Sequence, residues 1–99
     1  MAIIYHVTGK EQWEQAIKQG FYTDPSLEKE GFIHCSEAGQ VDGVLRRYFS
    51  GRSDLVKLVI DTEVLTSPLK YELAPSINQE FPHVYGPINI DAVIEVVNL

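Results

Sequence analysis

Residues 55 to 61 read LVKLVID, a run so nearly apolar that a strand buried on both faces is its natural home. A polar loop, Ser50-Gly51-Arg52-Ser53-Asp54, leads into it, and it reads as the central strand of a sheet. Around that strand the chain has 99 residues and 11.2 kDa, enough for one domain spanning residues 1–99 and too little for a two-domain enzyme.

The rest of the chain alternates strands with two helices. Ile3 to Val7 (IIYHV) is a short buried strand, and Thr8 through Glu11 matches a capping box, so strand runs straight into helix. From Lys10 to Gln19 the apolar Trp13, Ala16 and Ile17 fall three and four apart on one face, and Gly20 stands where a left-handed cap ends a helix. Phe21 to Glu30 carries an Asp24-Pro25 turn signal and a polar run, which reads as a loop with room for one helical turn. Gly31 to Cys35 is a second strand, followed by Ser36 as N-cap of a helix holding Val41, Val44, Leu45 and Tyr48. After the central strand, a turn at 62–65 leads to strand LKYEL at 69–73, a loop at 74–80, the extended FPHVYGPI at 81–88 and a closing strand AVIEVVN at 92–98. Two early helices among five or six strands make the fold class α+β.

Charge and cysteine content narrow the function. Eight Lys plus Arg against fourteen Asp plus Glu give a net charge of -6, which argues against general nucleic-acid binding and requires any bound nucleotide to meet a local cationic spot. The single cysteine, Cys35, has no intramolecular partner and suits a reducing, cytoplasmic setting. The opening MAIIYHVTGKEQW turns polar too soon for a signal peptide, and no segment approaches the roughly 18 apolar residues of a membrane span.

The chemistry-bearing residues fall in three clusters, Tyr5-His6-Val7-Thr8, His34-Cys35-Ser36 and His83-Val84-Tyr85, which use all three histidines. On a strand, residues i and i+2 share a face, so His6 with Thr8 and His34 with Ser36 are expected to face one cleft and offer hydrogen bonding or proton transfer near neutral pH. Thr8 and Ser36 are equally well explained as helix N-caps. Cys35 alternates away from His34 and Ser36 and is expected in the core rather than as a nucleophile. The histidines lack metal-motif spacing, so no metal is expected, and no nucleophile elbow, Walker loop or GxGxxG occurs. Glu72 in LKYEL and Glu95 in AVIEVV interrupt apolar strands, as either functional carboxylates or solvated positions. Arg46, Arg47 and Arg52, the only arginines, fall at or just after the second helix as either a phosphate site or a solvent-facing basic spot.

IYHVT, WEQAIKQGFY, SLEKEGFIHCS with Gln40 after it, LVID and FPHVYGPI together resemble the domain of unknown function 952 family of small bacterial proteins, over nearly the whole chain. The order of a His-x-Thr strand, a glycine-ended helix, a strand of His-x-Ser type and a following helix is similar, more distantly, to the tRNA 2′-phosphotransferase branch of the ADP-ribosyltransferase superfamily. That resemblance implies an ADP-ribosyltransferase-like split antiparallel sheet with two main helices packed on it, and a cleft for NAD or an ADP-ribose-like nucleotide.

It further implies that His6, His34 and His83 serve catalysis and that Thr8, Ser36 and Tyr85 hold the nucleotide, with any acceptor left open. A binding module of the same fold without catalysis is the alternative. No acid stands inside HVYG, so the resemblance assigns no catalytic carboxylate, with Glu72 and Glu80 the nearest candidates. The chain's acidity weighs against an RNA substrate.

Overall fold

A computed structural model describes residues 2–99. Its elements in chain order are β1 (Ile3–Gly9), α1 (Lys10–Gln19), β2 (Phe21–Tyr22), α2 (Pro25–Glu30), β3 (Ile33–His34), α3 (Val41–Tyr48), β4 (Leu55–Asp61), β5 (Leu69–Ala74), β6 (Gln79–Val84), β7 (Ile88–Asn89) and β8 (Val93–Asn98). Short 3₁₀ turns, Ala38–Gln40 and Ile90–Ala92, precede α3 and β8.

The apolar run at 55–61 is the middle strand of an antiparallel sheet ordered β1-β4-β8. A second antiparallel sheet is ordered β3-β6-β5, and the pair β2-β7 forms a third. The first two meet through reciprocal backbone hydrogen bonds between Tyr5 and Ser36, N–H to C=O in each direction at 2.8 and 2.7 Å. The core between them gathers Ile4, Tyr22, Ile33, Leu58, Ile60, Val84 and Ile88, each wholly removed from solvent.

Among the described residues three α-helices stand where two main helices were expected. The helical turn allowed in Phe21–Glu30 is there and is longer, with Asp24-Pro25 starting α2, while Phe21–Tyr22, expected as loop, pairs with Ile88–Asn89. The Asp24 carboxylate accepts from the Ser26 N–H at 3.0 Å, and Pro25 sits at the first helical position, where its missing N–H costs nothing.

Two expected N-caps are displaced as well. The chain enters α1 at Gly9, whose N–H donates to Gln12 Oε1 at 3.1 Å, while the Thr8 hydroxyl donates to the same oxygen at 3.0 Å. Ser36 is held by its bridge to Tyr5, and Gln40 precedes α3. Gly20 ends α1 with φ 93°, as its position predicts. Of the expected core face of α1, Ala16 is buried and Trp13 packs against the core, whereas Ile17 is exposed. FPHVYGPI breaks at Gly86, leaving β6 in one sheet and β7 in another. Among the described residues no helix is long and apolar enough to cross a membrane.

Candidate functional site

β1 carries His6 inward. Its Nδ1–H donates to the His34 carbonyl, which fixes the ring's orientation and turns Nε2 toward the Tyr22 hydroxyl at 2.8 Å. The Tyr22 oxygen lies 2.9 Å from Thr8 Oγ1 and 3.0 Å from Asp24 Oδ2. Thr8 spends its own proton on Gln12, so it can only accept from Tyr22. Tyr22 has one proton for two acceptors, and its lone pair remains for His6; when His6 carries both protons, each has an acceptor, the His34 carbonyl and Tyr22 Oη. His6 holds the Asp24 carboxyl far below the usual carboxylate range, assisted by the Ser26 N–H against the opposing effect of burial. Burial pushes the Tyr22 phenol far upward, so it works as a hydroxyl and not as a phenolate.

The second and third histidines face each other across β3 and β6, whose register sets His34 opposite His83. Their ring centroids are 5.3 Å apart. His34, half exposed, donates from Nε2 to Glu30 Oε2 at 2.8 Å, four residues back at the end of α2. His83, buried, donates from Nδ1 to Glu72 Oε1 at 2.8 Å. The Tyr85 hydroxyl donates to that same oxygen. Together Tyr85 and His83 hold the Glu72 carboxyl below its ordinary range, and Glu72 in turn raises the Tyr85 phenol. Phe32 stacks on the His83 ring at 4.0 Å with planes 16° apart and meets His34 edge-on at 4.8 Å.

These histidines line one cavity of about 570 Å³, within the range of small-molecule sites. Ser36, Asp24 and Glu30 add polar groups, and Val44 and Tyr48 of α3, Phe49 just after it, Ile77 and Phe81 form an apolar and aromatic wall. Thr8 and Tyr85, expected to touch a ligand, do not line it: Thr8 stands behind Tyr22, and Tyr85 behind Glu72 and His83. Cys35 is buried at the cavity's edge, and burial drives its thiol far up, which removes it as a nucleophile.

Among the described residues neither Lys nor Arg lines the cavity, but the Arg47 guanidinium lies 5.8 Å from the Tyr48 ring and Arg52 the same distance from Phe49. Arg52 is also paired with Asp54 at 3.0 Å on the surface. Glu95 and Glu80 are exposed and do not line the cavity. Among the described residues no three or more His, Cys, Asp or Glu side chains are grouped to hold a metal ion.

Reading the sequence missed Tyr22, Asp24, Glu30 and Phe32. The i, i+4 spacing of Glu30 and His34 was a usable signal. Tyr22 and Asp24 gave none beyond a turn, because they reach His6 only through the fold.

The crystal structure of protein CC0527 from Caulobacter crescentus is similar to this chain, with a TM-score of 0.90 and 29% identity over 99% of this chain and 86% of that one. The solution structure of the same protein gives a TM-score of 0.84 and 30% identity over 100% and 85%. No curated protein matches the chain. The family model described as "Protein of unknown function (DUF952)" matches residues 7–96, and with nearly the whole chain covered, the protein belongs to the DUF952 family.

Proposed function

We propose that the cavity binds NAD or a related ADP-ribose-bearing nucleotide, and that the chain is a small ADP-ribosyltransferase-like domain. One observation carries this reading: His6, His34 and His83, from three separate strands, converge on a single cavity of ligand size.

The lining suits the nicotinamide end of such a molecule. A cationic pyridinium is favoured by the carboxylates of Asp24 and Glu30 and by the faces of Tyr48, Phe49 and Phe81. The pyrophosphate is repelled by those carboxylates, and the charges that suit it are the guanidiniums of Arg47 and Arg52 beside the aromatic wall. NAD supplies an ADP-ribosyl group on a breakable carbon–nitrogen bond. The chain's part is to hold the base, exclude water with its apolar wall, and move a proton through its histidines. The lone buried thiol fits a cytoplasmic setting for this chemistry.

A second reading is a nucleotide-binding module of the same fold without catalysis. It is favoured by one feature: both carboxylates in the lining are already engaged, Asp24 in capping α2 and meeting Tyr22, Glu30 in pairing His34.

Isothermal titration with NAD, NADP and ADP-ribose is the first test, with heat expected from at least one. Silence from all three at millimolar concentration would sink the nucleotide reading. Nicotinamide release then separates enzyme from module, since a binder that never releases nicotinamide is the module. His83→Ala is expected to abolish release.

A further inference from the structure

Glu72 lies outside the cavity, yet it holds a residue that lines it. The β5-β6 register sets Lys70 opposite His83, which puts Glu72 on the same face of β5, diagonal to the imidazole. From there its Oε1 takes the His83 Nδ1–H. With Nδ1 committed to carrying a proton, the neutral ring has its lone pair on Nε2, the polar atom left for the cavity side. Phe32, stacked at 4.0 Å, holds the plane of the ring, and the bond to Glu72 opposes its flip within that plane. His34 is arranged the other way round, because its carboxylate partner occupies Nε2.

We infer that Glu72 is the positioning residue that makes His83 the general base of the site, with Tyr85 holding Glu72 in place. The substrate in this inference rests on the ADP-ribosyl reading above. In the transfer step the bond from ribose C1′ to the nicotinamide ring nitrogen breaks, and its electron pair leaves with nicotinamide. The acceptor's hydroxyl oxygen bonds to C1′, and its proton passes to His83 Nε2. The imidazolium so formed keeps its Nδ1–H on the Glu72 carboxylate, whose charge stabilises it. Tyr85 donates to the same oxygen, which keeps that carboxylate ionised and aimed.

The test uses nitrogen-15 spectra of the histidine rings at mildly alkaline pH, alongside nicotinamide release, for the wild type, Glu72→Gln and Glu72→Ala. Glu72 is half exposed on a strand at the edge of its sheet, so the variants should fold, and the backbone amide spectrum checks this. His83 is expected as the Nδ1–H tautomer in the wild type and in Glu72→Gln, which keeps the acceptor oxygen. In Glu72→Ala it should move mainly to Nε2–H, with the His34 signals unchanged. Release should fall in kcat by about 10² or more in Glu72→Ala, with KM little changed. Glu72→Gln should fall between the two, since it preserves the tautomer and loses the charge. An Nε2–H tautomer in the wild type, or one that Glu72→Ala leaves unmoved, overturns the role of Glu72 alone. Absence of nicotinamide release from the wild type overturns the base role together with the ADP-ribosyl reading, even where the tautomer shifts as expected.

Discussion

His6, Tyr22 and Asp24 are joined through one hydroxyl, so a change at any of them removes a hydrogen bond from another. Tyr22 is wholly buried, and removing its oxygen takes the hydroxyl partner from Asp24 Oδ2 and from His6 Nε2 in partly dry surroundings, while Asp24 Oδ1 keeps the Ser26 N–H. Tyr22→Phe should therefore cost about 1–3 kcal/mol in urea unfolding, more than its lost contact area alone. Asp24→Asn keeps a competent N-cap but removes the charge, and about 1–2 kcal/mol is expected. Because both substitutions break the same bond, their costs should add to less than their sum in the double variant. Full additivity would show that the two residues act independently. The folded-state Asp24 carboxyl is depressed below its ordinary 3.8, so its stabilisation is complete above that pH and is lost as pH falls below it. Melting curves taken at decreasing pH should show a slope in this acid range that is shallower in Asp24→Asn. An unchanged slope would remove Asp24 from the account.

Elements with a pattern of their own were legible, and those made by a distant partner were not. Seven residues of near-continuous apolar character left β4 no place but the middle of a sheet, and the spacing of Trp13 and Ala16 gave the face of α1. β2 is two residues long and exists only because Ile88–Asn89 comes to pair with it, so no local periodicity could announce it. The site divides the same way. Histidine is scarce here and its three positions stood out, whereas Glu72 could be joined to His83 only by knowing the register of the β5-β6 hairpin. That hairpin turns through Asn78, whose φ of 52° asparagine tolerates well. Gly86 is the corresponding device after β6. Its φ is 155°, and a Cβ there would fall 2.5 Å from Ser67 Oγ, which is itself bonded to the Pro87 carbonyl at 2.6 Å. Gly86→Ala should destabilise by about 1–3 kcal/mol, with strain beside Tyr85. Gly39→Ala, where a Cβ meets nothing within 4 Å, should stay within about 0.5 kcal/mol of wild type. Equal melting temperatures for the two variants would contradict the steric argument.

At the scale of the whole molecule, the cavity takes His6 and Val7 from one sheet, His83 from another and a wall from α3. Its two sheets are tied by the Tyr5 and Ser36 backbone bonds, so a ligand seated there touches both and cannot survive the separation of either. Binding should then report on global unfolding and not only on a local loop. At a nucleotide concentration ten times its Kd, linkage adds about 1.4 kcal/mol to the folded state. In a chain of 99 residues each kcal/mol moves Tm by roughly 4–8 °C, so NAD at that concentration should raise it by about 6–11 °C. Thermal melts with NAD at ten times the Kd measured by titration give the value directly. Nicotinamide mononucleotide and AMP, each at the concentration used for NAD, show which half of the dinucleotide carries the binding. The cationic half should reproduce most of the rise, since the cavity presents carboxylates and aromatic faces. A rise below about 2 °C with NAD would place the bound nucleotide on one element only, against a cavity shared by both sheets.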